Sequence, residues 1–227
     1  MIDDYSKQVE LIQVGKFQYP IHIIGAGATG SWVALILLKM GFKNIHIYDF
    51  DDIEEHNIPN QLYREKDIGK TKSDSMWNIY QEFFNDGVEN RLTTHNQKVG
   101  YKDAKELEGI VFNCVDSMKG RKTIYEGCIK HGKAILMIES RIGLFGAYMY
   151  TVEGSDRGGC ESYENTLYAD EEAEVSVCGV SQTALPAALN CASLLVMQMI
   201  SWFRGNDIYN AVQYQIPDLF GFRERWD

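Results

Sequence analysis

The sequence is short of cationic residues, and this deficit limits the partners it can bind. Its 227 residues include 22 Lys and Arg against 32 Asp and Glu, a formal net charge of −10. Nucleic acids and anionic membrane surfaces are bound by clustered cations, so the acidic balance argues against both classes of partner. It leaves room for a small phosphorylated ligand that is held by a few local groups.

Cysteine-pairing motifs are also absent. The cysteines are odd in number and no two have Cys-x-x-Cys spacing: Cys114, Cys128, Cys160, Cys178 and Cys191. Neither a disulfide framework nor a Cys-x-x-Cys zinc site is therefore expected. The first residues also lack the basic start and apolar run of a secretory signal. We expect a cytoplasmic protein with free thiols.

Charge disappears altogether between Val175 and Phe203. A membrane-spanning helix needs about 20 mostly apolar residues, so the run has to be weighed against that alternative. Gly179, Pro186 and Asn190 interrupt it. We interpret the run as a buried helix over about 183–203 that could form a subunit interface, and we do not expect a membrane protein.

The remaining apolar runs alternate between strand-like and helical patterns. They predict strands at 21–24, 45–48, 110–114 and 134–138, and helices at 31–40, 72–84 and 119–131. Strands that alternate with helices need crossover connections, which predicts a doubly wound, Rossmann-like α/β fold with a mostly parallel sheet. The alternation in 146–152 predicts an antiparallel strand added at one edge of that sheet.

We expect one domain over residues 1–227, because the length and the ordinary hydrophobic content of 45% suit a single core. Residues 1–150 are expected to form its nucleotide-binding part. Residues 151–227 are expected to contain a long acidic crossover loop at 153–174, the buried helix and an aromatic tail. The pattern of that tail, from Asp207 onward, does not assign it to an element.

A glycine-rich segment joins the first predicted strand to the first helix. Its sequence is Gly25-Ala26-Gly27-Ala28-Thr29-Gly30, and Asp49 follows 19 residues after Gly30. The glycines permit a tight turn and a close approach of backbone to phosphate, and the helix begins with free N–H groups. A carboxylate at the end of the next strand can bind ribose hydroxyls. The pattern predicts nucleotide binding, with an NAD-dependent oxidoreductase as the default and a structural glycine turn as the alternative.

Further motifs narrow the choice. In chain order they are Tyr5-Ser6-Lys7-Gln8, then Asp49-Phe50-Asp51-Asp52-Ile53, then Asn57, Asn60 and Gln61, then Gly69 to Lys72, and finally Asp116. In order and spacing this set resembles the MoeB/ThiF/HesA family, the bacterial relatives of ubiquitin-activating enzymes. The resemblance covers about residues 5–150. Asn60 and Lys7 stand where the family has arginines, so this chain lacks two of the family's guanidinium groups.

The resemblance implies ATP- and Mg²⁺-dependent adenylation of a carboxylate by a homodimer. The implied substrate is the C-terminal glycine of a small ubiquitin-like or sulfur-carrier protein. Lys72 would neutralise phosphate, Asp116 would hold Mg²⁺, and Lys7 would supply charge across the dimer. The implied nucleotide-binding set is Gly25, Gly27, Gly30, Asp49, Asp51, Asn57, Asn60, Gln61 and Lys72.

Each candidate residue also has a structural interpretation. Lys72 could be a solvated lysine at a helix start, Asp116 the N-cap of the next helix, Asn57 a turn residue, and Lys7 a surface lysine. Arg64 is a candidate replacement for the missing family arginine. For Arg121 and Arg141 we expect pairing with local acids rather than a role in catalysis.

A catalytic cysteine is a separate question. In part of the family a late cysteine forms a covalent link with the activated protein, and Cys178 stands in a similar place before the uncharged helix. Cys160 is the alternative nucleophile, and packing roles are the alternative for both. The helix N-terminus would favour the Cys178 thiolate, whereas the acids nearby would oppose it.

Other functions stay open at this point. A related enzyme could adenylate the carboxylate of a peptide or of a modified tRNA. Because Asn60 and Lys7 depart from the family pattern, the chain could also be a non-catalytic subunit that completes another protein's site. An NAD-dependent oxidoreductase would leave Lys72 and Asp116 without a role.

Overall fold

The computed structural model describes residues 4–84, 91–168, 183–215 and 220–225. Eight strands are found in this part of the chain: β1 Ile21–Ile24, β2 Ile45–Tyr48, β3 Leu92–His95, β4 Glu108–Asn113, β5 Lys133–Ile142, β6 Gly146–Glu153, β7 Ala211–Gln215 and β8 Phe220–Glu224. They form one sheet in the order β3-β2-β1-β4-β5-β6-β7-β8.

The first five strands run parallel to one another. Every residue of β1 is buried, as expected for a strand that is covered on both faces. β1 lies between β2 and β4, so the chain winds away from it in both directions. In such sheets, ligands bind at the carboxyl ends of the strands where the winding reverses. The fold therefore directs attention to the residues that follow β1, β2 and β4.

Helices cover both faces of the sheet. They are α1 Gly30–Lys39, α2 Lys72–Phe84, α3 Tyr101–Lys105, α4 Met118–Tyr125, α5 Arg157–Glu164 and α6 Leu185–Phe203. One apolar core contains residues of α1, α2 and α6, and a second contains residues of α3, α4 and α5. Ile23 faces the first core and Ile24 the second, which is the alternation that a doubly covered strand requires. The predicted doubly wound fold is confirmed.

The far edge of the sheet is antiparallel. β5 and β6 pair antiparallel from Leu136–Glu153 to Ile142–Ala147, and β7 and β8 extend the sheet in the same manner. The antiparallel addition predicted from residues 146–152 is therefore confirmed. The aromatic tail that the sequence pattern did not assign supplies the last two strands.

Part of the predicted acidic loop at 153–174 is wrong, because α5 occupies residues 157–164. Asp156 caps this helix by accepting a hydrogen bond from the Gly159 N–H at 3.0 Å. Tyr163 is fully buried and fixes the helix on the sheet. The sequence pattern did not predict α5, because Tyr163 is the one large apolar side chain by which this helix faces the core. The end of that predicted loop lies outside the described residues.

Residues 185–203 of the uncharged run form α6, which packs on β5, β6 and α1, and residues 175–182 of the run lie outside the described residues. The helix is long and apolar enough to cross a membrane by length and composition alone, but half of its most apolar window is buried inside the fold. The expectation of a buried helix is confirmed. One side remains exposed and carries Leu189, Leu194 and Met197.

Candidate active site

The three glycines after β1 meet different surroundings. Gly25 has a φ of 94°, in the left-handed region, and a Cβ there would lie 2.8 Å from the Cys114 carbonyl oxygen. A Cβ on Gly30 would lie 1.8 Å from the Gly25 carbonyl oxygen. Around a Cβ on Gly27 there is no heavy atom of the described chain within 4 Å. The first and last glycines therefore close the turn, and the middle one opens onto free space that suits a phosphate group.

Asp49 follows β2 and binds this loop directly. Its Oδ2 accepts a hydrogen bond from the Ala26 N–H at 2.7 Å, and its Oδ1 accepts one from the Asp51 N–H at 2.9 Å. The residue is only 7% exposed. Burial raises the pKa of the Asp49 carboxyl, and the nearby Lys72 ammonium opposes that rise. Asp49 thus shapes the glycine loop, a role that the sequence motif alone did not indicate.

Lys72 begins α2 beside these carboxylates. Its Nζ lies 2.8 Å from Asp51 Oδ2 and 3.8 Å from Asp49 Oδ1. Its N–H also donates to the Asp51 carbonyl oxygen at 2.9 Å, which fixes the helix start next to the end of β2. The residue is 7% exposed, so its interpretation as a solvated surface lysine is wrong. A buried ammonium at the glycine loop is what a phosphate-binding site needs.

The segment after Asp51 turns back over the loop. The Asn57 side chain accepts a hydrogen bond from the Glu54 N–H at 2.9 Å, so it does serve the turn, as its structural interpretation stated. The Asn60 amide donates to the Thr183 carbonyl oxygen at 3.1 Å. In the described part of the chain, the side-chain oxygens of Asn60 and Gln61 are buried without a hydrogen-bond partner.

Sequence reasoning missed Tyr63 at this site. Its ring is buried, and its hydroxyl donates a hydrogen bond to the Ala26 carbonyl oxygen at 2.8 Å. No spacing rule singles out an aromatic residue two positions after Gln61. Only its position in the folded chain connects it with the glycine loop.

Asp116 lies exposed just past the end of β4. The next residue, Ser117, caps α4 by accepting a hydrogen bond from the Gly120 N–H at 3.2 Å, so the interpretation of Asp116 as the N-cap is wrong. Within the described ranges we find no hydrogen bond or ion pair to the Asp116 carboxylate. A free carboxylate here fits a hard cation such as Mg²⁺, which takes one or two protein carboxylates and completes its shell with phosphate oxygens and water.

The structure does not bring two of the candidate cations to this site. Arg64 is bound by the Asp67 carboxylate at 2.7 Å and by Glu82, so it does not replace the missing arginine. Lys7 is exposed, and the side chain of its neighbour Gln8 donates a hydrogen bond to the Met40 carbonyl oxygen. Met40 lies at the end of α1 that is remote from the glycine loop. A helix of this length measures about 15 Å, so Lys7 lies remote from the glycine loop of its own chain.

Arg121 and Arg141 instead pair with the buried carboxylate of Glu139. Their guanidinium nitrogens lie 3.7 and 2.6 Å from Glu139 Oε1. Asn113 donates to the other carboxylate oxygen, and Tyr163 contacts the same atom. The structural role expected for both arginines is confirmed, and the network joins β4, β5 and α5.

The cysteine candidates differ in what can be said of them. Cys160 is half-buried in α5, where its thiol contacts the Glu153 carbonyl oxygen at 3.7 Å. Burial raises the pKa of this thiol, which disfavours the nucleophilic thiolate. Cys178 lies outside the described residues. Burial raises the pKa of the Cys114 thiol to about 12, and Cys128 and Cys191 are fully buried core residues.

Comparisons with known proteins agree with the motif resemblance. A ubiquitin-activating enzyme E1-like protein of Saccharomyces cerevisiae is 30% identical over 136 residues, covering 57% of this chain and 20% of its own length. An adenylyltransferase and sulfurtransferase MOCS3 of Culex quinquefasciatus is 29% identical over 135 residues, covering 55% of this chain and 30% of its own length. The chain thus spans less than a third of each of these relatives.

Solved structures match the fold more completely. Escherichia coli MccB with MccA-N7isoASN has a TM-score of 0.80 at 17% identity and covers 98% of this chain and 71% of its own. E. coli MccB with ATP has a TM-score of 0.76 at 15% identity and covers 100% of this chain and 72% of its own. Residues 11–226, almost the whole sequence, match the pattern of one protein family. The chain belongs to the ThiF family.

Proposed function

We propose that this protein adenylates a carboxylate with ATP. One observation carries the proposal: the glycine loop, the buried Lys72 and the free carboxylate of Asp116 meet at the carboxyl ends of β1, β2 and β4. The relatives named as activating enzymes and as an adenylyltransferase support the same reaction class. Solved structures of MccB with ATP support the nucleotide.

The reaction needs charge neutralisation more than it needs a base. An oxygen of the substrate carboxylate bonds to the α-phosphorus, the bond from that phosphorus to the bridging oxygen breaks, and pyrophosphate leaves with the electron pair. The nucleophile is already ionised at neutral pH, so no proton has to be removed. Fixed cations and N–H donors around the phosphates therefore supply most of the catalysis.

The residues have distinct tasks in this proposal. The open face of Gly27 receives phosphate, and Lys72 exchanges its contact with Asp51 for a phosphate oxygen. Asp49 holds the loop and faces the ribose. Asn57 stays in the turn. Asn60 and Gln61 complete the nucleotide-binding set of the proposal, and ligand binding has to expose their side-chain oxygens, which are buried. Asp116 would hold Mg²⁺, which would supply positive charge to the phosphates.

The missing arginines bear on the assembly. Asn60 has no guanidinium group, and that of Arg64 is bound by Asp67 away from the site. Lys7 lies remote from the glycine loop of its own chain. We propose a homodimer through the exposed side of α6, in which a partner copy brings Lys7 to the site. We also propose that the protein is cytoplasmic and that it binds neither a nucleic acid nor a membrane.

For the substrate we propose the C-terminal glycine of a small ubiquitin-like or sulfur-carrier protein, because the similar relatives include enzymes named for such modifiers. A short peptide is the second candidate, because the whole fold matches MccB, whose structures contain MccA. A tRNA-linked carboxylate fits the acidic charge of this chain less well.

ATP–pyrophosphate exchange tests the proposal. Candidate carriers that end in Gly-Gly, and peptides with a free C-terminus, are added in separate reactions with Mg²⁺. We expect exchange with one of these classes, and at least a hundredfold loss in Lys72→Ala, since a missing transition-state charge contact costs about that much. Lys70→Ala is the matched control, because Lys70 is exposed and pairs with Asp67 instead.

Three outcomes would contradict the proposal or its parts. Equal exchange rates in Lys72→Ala and wild type would remove Lys72 from the site. NADH binding without ATP binding would favour an oxidoreductase. ATP binding that yields no exchange until a second, different subunit is added would favour a non-catalytic partner.

A further inference from the structure

The segment 60–63 is attached to the corner between β1 and α1 by three hydrogen bonds. The Trp32 indole donates to the Asn60 carbonyl oxygen at 3.1 Å, and the Leu62 N–H donates to the Ser31 hydroxyl at 3.2 Å. The third bond runs from the Tyr63 hydroxyl to the Ala26 carbonyl oxygen at 2.8 Å. Of these three bonds, only the last reaches the glycine loop itself.

Tyr63 is built to donate this bond permanently. The residue is 3% exposed. Burial raises the pKa of its hydroxyl well above the ordinary value, and the carboxylates of Asp49, Asp51 and Asp67 raise it further. The hydroxyl therefore keeps its proton and remains a donor to the Ala26 carbonyl at any working pH.

Two contacts fix the two peptide groups of Ala26. Its N–H is bound by the Asp49 carboxylate and its carbonyl by the Tyr63 hydroxyl. A trans peptide is planar, so its N–H points opposite to its carbonyl. Because Tyr63 holds the Ala26 carbonyl, the N–H of the next residue, Gly27, must point away from Tyr63. Around Gly27 there is room for a ligand, with no described atom within 4 Å of a Cβ built there.

We propose that Tyr63 is a positioning residue of the nucleotide site, which aims the Gly27 N–H at a phosphate group. The inference rests on the proposed ATP-binding function. It assigns the orientation of one phosphate-binding amide to a side chain outside the family motifs. Asp49 supplies the opposing contact, so the loop is held from both sides before a ligand arrives.

Tyr63→Phe tests this, because it removes the hydroxyl and keeps the ring. Tyr80→Phe is the matched control: Tyr80 is equally buried, and its hydroxyl accepts a hydrogen bond from the Arg91 N–H far from the loop. ATP affinity is measured by calorimetry, and adenosine affinity by ligand-detected NMR. For Tyr63→Phe we expect ATP to bind about tenfold more weakly, the effect of one hydrogen bond, with adenosine binding unchanged.

A second measurement does not depend on how well the variant folds. In the wild-type protein, the backbone amide resonance of Gly27 should shift on addition of inorganic tripolyphosphate and stay in place on addition of adenosine. An unchanged ATP affinity in Tyr63→Phe, equal losses for ATP and adenosine, or an unresponsive Gly27 amide would overturn the role of Tyr63. Absence of ATP binding by the wild-type chain would overturn the proposed function as well.

Discussion

At the scale of single residues, the chemistry of the loop depends on which atoms surround each glycine. Gly30 is in contact with backbone, since a Cβ there would lie 1.8 Å from the Gly25 carbonyl oxygen. Gly27 has no such neighbour in the described structure. The fold therefore requires a glycine at position 30. At position 27 the requirement comes from the ligand that occupies the open space beside the glycine.

Alanine substitutions should separate these two requirements. Gly30→Ala should lower the free energy of unfolding by about 2 kcal/mol or more, because the backbone has to move to relieve the clash. Gly27→Ala should fold with wild-type stability but bind ATP at least tenfold more weakly, because its methyl group occupies the phosphate space. Urea denaturation and calorimetric titration measure the two effects. Wild-type ATP affinity in Gly27→Ala would contradict the assignment of that space to phosphate.

Asp49 allows a second prediction about a single residue. Its two oxygens accept from the N–H groups of Ala26 and Asp51, whereas an asparagine offers one acceptor and one donor. Asp49→Asn should leave one buried N–H unpaired and lower the free energy of unfolding by about 1–3 kcal/mol. Asp52→Asn, at an exposed neighbour, is the control. Equal stability of both variants in urea would show that Asp49 does not hold the loop.

At the scale of secondary-structure elements, the sequence pattern predicted those strands in which nearly all residues are buried. β1, β2 and β4 are short apolar runs, and the motif residues at their ends are adjacent because these strands are parallel neighbours. β3 escaped prediction because only Leu92 of its four residues is buried. Pairing between residues distant in sequence also determines where Tyr63, Arg64 and Lys7 lie, so the contacts of the candidate site could not be derived from spacing alone.

Three histidines connect neighbouring strands on one face of the sheet. The rings of His22, His46 and His95 are stacked, with centroids 5.1 and 5.4 Å apart, and His46 Nδ1 lies 3.2 Å from His95 Nε2. Burial lowers the pKa of His22 from 6.5 to about 4, with repulsion from the other two rings as the next cause. Burial also lowers the pKa of His46 and of His95.

This stack should make the protein sensitive to acid. Since the pKa of His22 is lower in the folded state, the unfolded state binds more protons, and stability falls as the pH drops from 6.5 towards 4. For His22 the loss should approach about 3 kcal/mol. His22→Gln should remove most of this pH dependence in urea titrations, and His131→Gln, at an exposed residue, should retain it. A slope that His22→Gln leaves unchanged would contradict the account.

At the scale of the whole molecule, the net negative charge and the uncharged helix α6 have opposite effects on self-association. Net charge keeps like molecules apart, so a dimer of this chain needs an apolar surface. The side of α6 with Leu189, Leu194 and Met197 provides one, because each of these residues is more than a third exposed. The proposed dimer would bury this side and bring a second Lys7 within reach of the site.

One substitution tests that assembly. Met197→Glu should convert the dimer to a monomer in sedimentation velocity experiments, because a symmetric interface would bury two new carboxylates close together. It should also reduce ATP–pyrophosphate exchange if Lys7 acts across the dimer. Ile68→Glu alters an exposed apolar residue elsewhere and should leave the dimer intact. A wild-type chain that sediments as a monomer at all concentrations would contradict the dimer.

The most direct test of the central claim is a calorimetric titration of the wild-type protein with ATP in the presence of Mg²⁺, beside a titration with NADH. We predict saturable binding of ATP and none of NADH, because Lys72 and the exposed Asp116 have tasks at a triphosphate with Mg²⁺ and would have none at the diphosphate of NADH. Binding of NADH without binding of ATP would contradict the account.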